Sequence, residues 1–78
     1  MPVEHSNAER ITAFLKENPR ECFCDNCIVQ ATGVPEKQVD PTVRPMGQTP
    51  EFERKFSQIC SRCGRRRICT KWLGPVMG

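Results

Sequence analysis

Two Cys-x-x-Cys pairs, Cys24 with Cys27 and Cys60 with Cys63, restrict the folding of this chain more than any other feature of its sequence. Four thiolates delivered as two short knuckles are what a tetrahedral Zn²⁺ site requires. The knuckles are separated by 32 residues, beyond the roughly 15 to 20 of a compact zinc ribbon, so a shared ion must join two remote parts of the fold. Length explains the need for such a staple. A chain of 78 residues with four Phe, one Trp and no Tyr makes one domain, and near this size an apolar core alone supplies only about 3 to 5 kcal/mol. Structural zinc contributes on the order of 10 to 16 kcal/mol at neutral pH, so a single structural Zn²⁺ is expected to be part of the fold.

Six cysteines in a short chain are also compatible with a disulfide framework, but that arrangement belongs with a secretory leader. The first ten residues carry charges of both signs, and no apolar run reaches the length of a signal core or a membrane span. The expectation is a soluble cytoplasmic protein that uses its thiols for metal.

Charge is distributed unevenly. Residues 1–51 hold five Lys/Arg against eight Asp/Glu, and residues 52–78 hold seven against one. The densest basic part is Arg62, Arg65, Arg66, Arg67 and Lys71 around the second knuckle, the electrostatic footprint of a nucleic-acid binder. A second account is local compensation: four cysteinates and one Zn²⁺ sum to −2, taking the formal charge from +3 to +1, and arginines nearby would offset that cluster. Both accounts stand at this point.

Ser6 followed by Glu9 forms a capping-box signature, and Ile11, Phe14 and Leu15 fall on one helical face. This first helix is expected to stop at Asn18, because Pro19 disfavours helical geometry in the residue before it. A second short helix is expected to start in the first knuckle, bury Ile28 and Ala31, and close at Gly33. Its N-terminal amides would favour the thiolate of Cys24. Pro35 suits the first position of a third helix through Val39, while Pro41, Pro45 and Gly47 predict a broken, irregular middle. Thr49 reads as the cap of one more helical start. From Phe52 the pattern turns to strand: Lys55–Ile59 and Arg67–Leu73 flank the Cys60–Gly64 turn as a hairpin, with Ile68, Thr70 and Trp72 on one face. Phe52, Phe56 and Ile59 also fit helical spacing, which leaves a helical alternative for the first arm. Trp72 reads as a core anchor before a base-stacking platform.

With ECFCDNC on a short helix and CSRCG at the tip of a basic hairpin, residues 6 to 73 resemble small prokaryotic proteins that combine a winged-helix-like fold with a four-cysteine zinc ribbon. In winged-helix proteins the third helix enters the major groove and the wing touches phosphates or the minor groove. The resemblance implies that residues 36–44 occupy the recognition position and Arg65, Arg66 and Arg67 the wing. Only Lys37, Gln38, Thr42 and Arg44 offer base or phosphate contacts in that helix, so the expected contact is chiefly backbone binding of DNA or RNA by the hairpin, weakly specific and salt-sensitive.

Cys22 and Cys69 remain. As substitute ligands, as a disulfide with each other, or as small buried apolar residues they have three readings, of which the last is the default for a free cysteine. Rubredoxin-type iron fits the same four ligands, but the basic knuckle and the lack of Tyr favour zinc. Catalysis finds little support. Four cysteines close the metal shell, His5 lies far from both knuckles, and no phosphate loop or nucleophile motif is present. Redox chemistry at Cys60 and Cys63 is conceivable beside arginines, although a second matched pair makes coordination simpler. The overall expectation is an α+β domain spanning residues 1–78, with 1–5 and 74–78 as flexible ends and two or three short helices packed on a zinc-ribbon hairpin. Its expected role is that of a non-enzymatic nucleic-acid-associated module, open to a regulatory use; the alternative is a protein-interaction or purely structural zinc domain.

Overall fold

A computed structural model describes residues 6–75. His5 and most of the expected flexible ends lie outside the described residues. Six elements follow in the order α1 (Asn7–Glu17), β1 (Phe23–Cys24), α2 (Asp25–Thr32), α3 (Glu36–Met46), β2 (Phe52–Ile59) and β3 (Arg66–Trp72). The strands form one antiparallel sheet in the order β1-β3-β2, so the chain is an α+β fold with three helices on a three-stranded sheet.

α1 begins where the sequence predicts. Ser6 Oγ accepts from the Glu9 backbone N–H at 3.1 Å, and Asn18 ends the helix, its side-chain amide donating to the Phe14 carbonyl at 3.0 Å. Ile11 and Leu15 are fully buried. α2 also matches expectation: Cys24 is its N-cap and Gly33 closes it at φ 77°, a left-handed conformation that a side chain would strain. Ile28 is buried as expected, whereas Ala31 is exposed.

The middle of the chain departs from the expectation of short broken turns. α3 runs unbroken for 11 residues with Pro41 and Pro45 inside it. Each proline removes one helical hydrogen bond, but Val39 and Val43 sit one turn apart with no exposed surface and lock the helix to the core. Pro35 stands at the N-cap, one position before the one the sequence suggests. Thr49 starts no helix. Its hydroxyl donates to the Met46 carbonyl at 2.8 Å within the turn that leads into β2. The first hairpin arm is strand over its whole length, which removes the helical alternative for Phe52, Phe56 and Ile59.

The core lies between the helices and the inner face of the sheet. Ile11, Leu15, Ile28, Val34, Val39 and Val43 meet Phe23 and Phe52 there, and the Phe14 and Phe23 rings lie 4.6 Å apart. Trp72 packs against this core as an anchor, with the Lys16 ammonium 5.7 Å from its ring centre. Among the described residues no helix is long and apolar enough to cross a membrane.

Candidate metal centre and basic hairpin

The sheet brings the two knuckles together. β1 pairs with β3 so that Cys24 lies opposite Cys69, and the Ser61 N–H donates to the Cys22 carbonyl at 2.8 Å, which joins the hairpin tip to the strand entering the first knuckle. Within the tip, Cys60 N–H donates to the Arg65 carbonyl and Gly64 N–H to the Cys60 carbonyl, each at 2.9 Å. Gly64 adopts φ 73°, the conformation the knuckle turn requires of a glycine.

All four sulfurs of Cys24, Cys27, Cys60 and Cys63 lie within 4.8 Å of one another. Across the knuckles, Cys24 Sγ is 3.7 Å from Cys63 Sγ and Cys60 Sγ is 3.6 Å from Cys27 Sγ. A tetrahedron with metal–sulfur bonds of about 2.3 Å has sulfur–sulfur edges of about 3.8 Å, so these separations suit one ion and are far beyond the roughly 2.05 Å of a disulfide. All six thiols are free. Cys24, Cys27 and Cys60 are buried, and Cys63 alone of the four reaches the surface.

The surroundings treat the four sulfurs unequally. Burial raises the Cys27 thiol strongly, helped by the neighbouring sulfurs. Burial also raises Cys24, and the backbone N–H of Cys27 offsets only part of this. The N-terminal amides of α2 thus favour the Cys24 thiolate, as the sequence suggests, but burial outweighs them. At Cys60 burial is outweighed by hydrogen bonds from the backbone N–H groups of Cys63, Cys24 and Arg62, which bring the thiol down to about 6. One of these, from Cys24 N–H, spans 3.3 Å.

Cys22 and Cys69 stand outside the set of four. The Cys22 thiol donates to the Ile59 carbonyl at 3.0 Å. Cys69, buried, donates to the carbonyls of Gln58 and Arg67 at 3.6 and 3.5 Å. Cys69 fills space as the buried default for free cysteines has it, whereas Cys22 is only half-buried against the core.

The five basic residues divide into three situations. Arg62 is tied inward, its guanidinium donating to the Cys27 carbonyl at 3.0 Å. Lys71 lies farther along β3 and pairs with Glu53 at 3.7 Å. Arg65, Arg66 and Arg67 are exposed, and their side chains make no hydrogen bond or ion pair with any described residue.

Sequence reasoning missed Arg54. Its side chain is only 11% exposed, and its guanidinium donates to Asp25 at 2.9 and 3.1 Å, to Asp40 at 3.0 Å and to the Thr70 hydroxyl at 2.8 Å. It thereby joins the hairpin to the N-terminus of α2, next to Cys24 of the candidate metal centre, and to α3. The signal available was its place between Phe52 and Phe56 on the core-facing alternation of a strand, where an arginine must have partners. Comparison with protein-family models, with curated proteins and with solved structures finds no match for this chain.

Proposed function

We propose that the chain is a zinc-stabilised module that associates with nucleic acid through its basic hairpin. The ion is structural: four cysteines complete a tetrahedral shell and leave no position for a reacting water. Zinc accords with the all-thiolate set and the basic surroundings, and a divalent cation at the centre of the four sulfurs reverses the effect of burial, holding each as thiolate. A cytoplasmic, reducing setting accords with six free thiols.

The observation that carries the nucleic-acid reading is the condition of Arg65, Arg66 and Arg67. Were these arginines present to offset the charged sulfurs, their guanidinium groups would point at them. Instead no side-chain hydrogen bond joins them to a sulfur among the described residues, and the N–H groups that reach the sulfurs are backbone amides, such as that of Cys24 on Cys60 Sγ at 3.3 Å. Three adjacent cations with no internal partner suit an external polyanion. On the winged-helix resemblance, α3 would correspond to the third helix and the β2–β3 hairpin to the wing. A charged surface of this kind grips phosphates and reads no sequence.

Binding of labelled DNA and RNA fragments by the metal-loaded protein, titrated with salt, tests the proposal. Affinity is expected to fall linearly on a log–log plot, and replacing Arg65, Arg66 and Arg67 by Ala is expected to reduce the slope by about 2 to 3 while the melting curve stays unchanged. Binding by the triple variant equal to that of the parent protein would refute it, and retained protein partners without nucleic-acid affinity would favour an interaction or purely structural domain.

A further inference from the structure

The inner face of the hairpin is covered by the helices over only part of its length. Near the base, Phe52, Arg54 and Thr70 lie beneath α2 and α3, but farther out Phe56 is 78% exposed, Ile59 52% and Ile68 37%. These three belong to one face. Lys55 pairs with Cys69 and Gln58 with Arg67, so a bulge sets Phe56 and Ser57 together opposite Ile68. Ile59, opposite Arg66, continues the same side. Ser57 holds φ 57°, a left-handed conformation costly for a residue with a side chain. Bulges of this kind re-aim side chains beside functional sites. Here the result is an aromatic ring standing in a groove of about 340 Å³ between α3 and the hairpin, with Ile68, Lys55, Arg44, Arg54 and Asp40 also on its walls, the Asp40 carboxylate being taken up by Arg44 and Arg54.

Resting on the nucleic-acid reading above, we propose that this groove takes an unpaired base of a single-stranded nucleic acid, stacked on Phe56, with its phosphates held by the free arginines of the hairpin. A ring that is open to one side and carries no hydrogen-bonding group recognises the flat face of a base, and every base has one. In a duplex those faces are covered by neighbouring pairs, so the ring selects for single strands and is indifferent to sequence. The charge of the patch argues against other occupants. A second copy of the chain docked by a two-fold axis would bring the arginine triplets of both copies toward the same contact, where like charges repel. An uncharged apolar segment would cover Phe56 and leave Arg66 without a counter-charge. A phosphodiester strand supplies the apolar face and the negative charge together.

Fluorescence anisotropy with metal-loaded protein decides the matter, using labelled oligothymidylate, oligouridylate of equal length and a mixed-sequence duplex. The parent protein is expected to prefer both single strands to the duplex. Phe56→Ala is expected to weaken single-strand binding by about tenfold or more, with duplex affinity and melting temperature unchanged, and Phe56→Trp to restore it. The ratio of thymidylate to uridylate affinity then tells DNA from RNA. Undiminished single-strand affinity in Phe56→Ala overturns this inference and leaves the basic-hairpin reading standing. So does a sedimentation result in which Phe56→Ala abolishes a dimer and leaves oligonucleotide binding intact. Failure of the parent protein to bind any of the three probes overturns both.

Discussion

At the scale of single residues, Arg54 shows how a charge is accommodated beneath a small fold. Burial opposes its charge, and Asp25 and Asp40 more than restore it, so its pKa is raised. Replacing it by Met leaves Asp25 beside the first knuckle without its two hydrogen bonds. The expected loss is about 2 to 3 kcal/mol of unfolding free energy for the metal-loaded protein, read by urea denaturation. Lys should not rescue it, because a single ammonium cannot reach three partners in a fork. Cys69 makes a second prediction. Its thiol is pushed up to about 12, first by burial and then by Cys22 and the nearby sulfurs. A raised value means that the folded state favours the protonated thiol, so this contribution is complete below about pH 9 and is lost as pH rises toward 12. At about pH 8, below the ordinary thiol range, iodoacetamide followed by peptide mass spectrometry should find Cys69 unmodified in the native protein and modified after unfolding. The four clustered cysteines were legible because a local spacing encodes them. Arg54 was not, because its acidic partners lie 29 and 14 residues away in sequence and only the folded sheet chooses them.

Among the elements, the helices with strong end signals were readable and those settled by tertiary contact were not. Ser6 and Gly33 carry their effect within one turn, and α1 and α2 accordingly begin or end where they stand. β1 is two residues long. It has no periodicity to read and exists because β3 offers it an edge. The length of α3 follows from Val39 and Val43, whose burial outweighs the cost that Pro41 and Pro45 impose locally. α3 also ends against the hairpin at close range. A Cβ built on Gly47 would stand 2.6 Å from Arg54 Cβ, a contact with the root of a side chain that cannot swing aside. The φ of Gly47 is an ordinary −67°, so space and not backbone freedom demands glycine here. Gly47→Ala is expected to cost about 1 to 3 kcal/mol, seen as a lower urea midpoint, and a variant as stable as the parent would show that α3 and β2 can separate freely.

For the whole molecule, the α+β class followed from the switch of periodicity at Phe52 together with the knuckle spacing. Which face of the hairpin would be left open did not, because that depends on how far the helices reach along the sheet. The apolar core is small: its fully buried large side chains are Ile11, Leu15, Ile28, Val34, Val39 and Val43. A domain of this size leaves only a few kcal/mol from burial once chain entropy is subtracted, whereas a structural zinc contributes on the order of 10 kcal/mol or more. The buried thiols of Cys24, Cys27 and Cys60 extend the same core toward the hairpin tip, so without an ion the two knuckles are joined only by β1–β3 pairing and a few hydrogen bonds. The most direct measurement is native mass spectrometry of the purified, reduced protein with elemental analysis, followed by circular dichroism during chelation at neutral pH. One zinc ion per chain, with loss of the cooperative thermal transition as it is removed, is the expected result; a reduced, metal-free chain that still melts cooperatively would contradict the account.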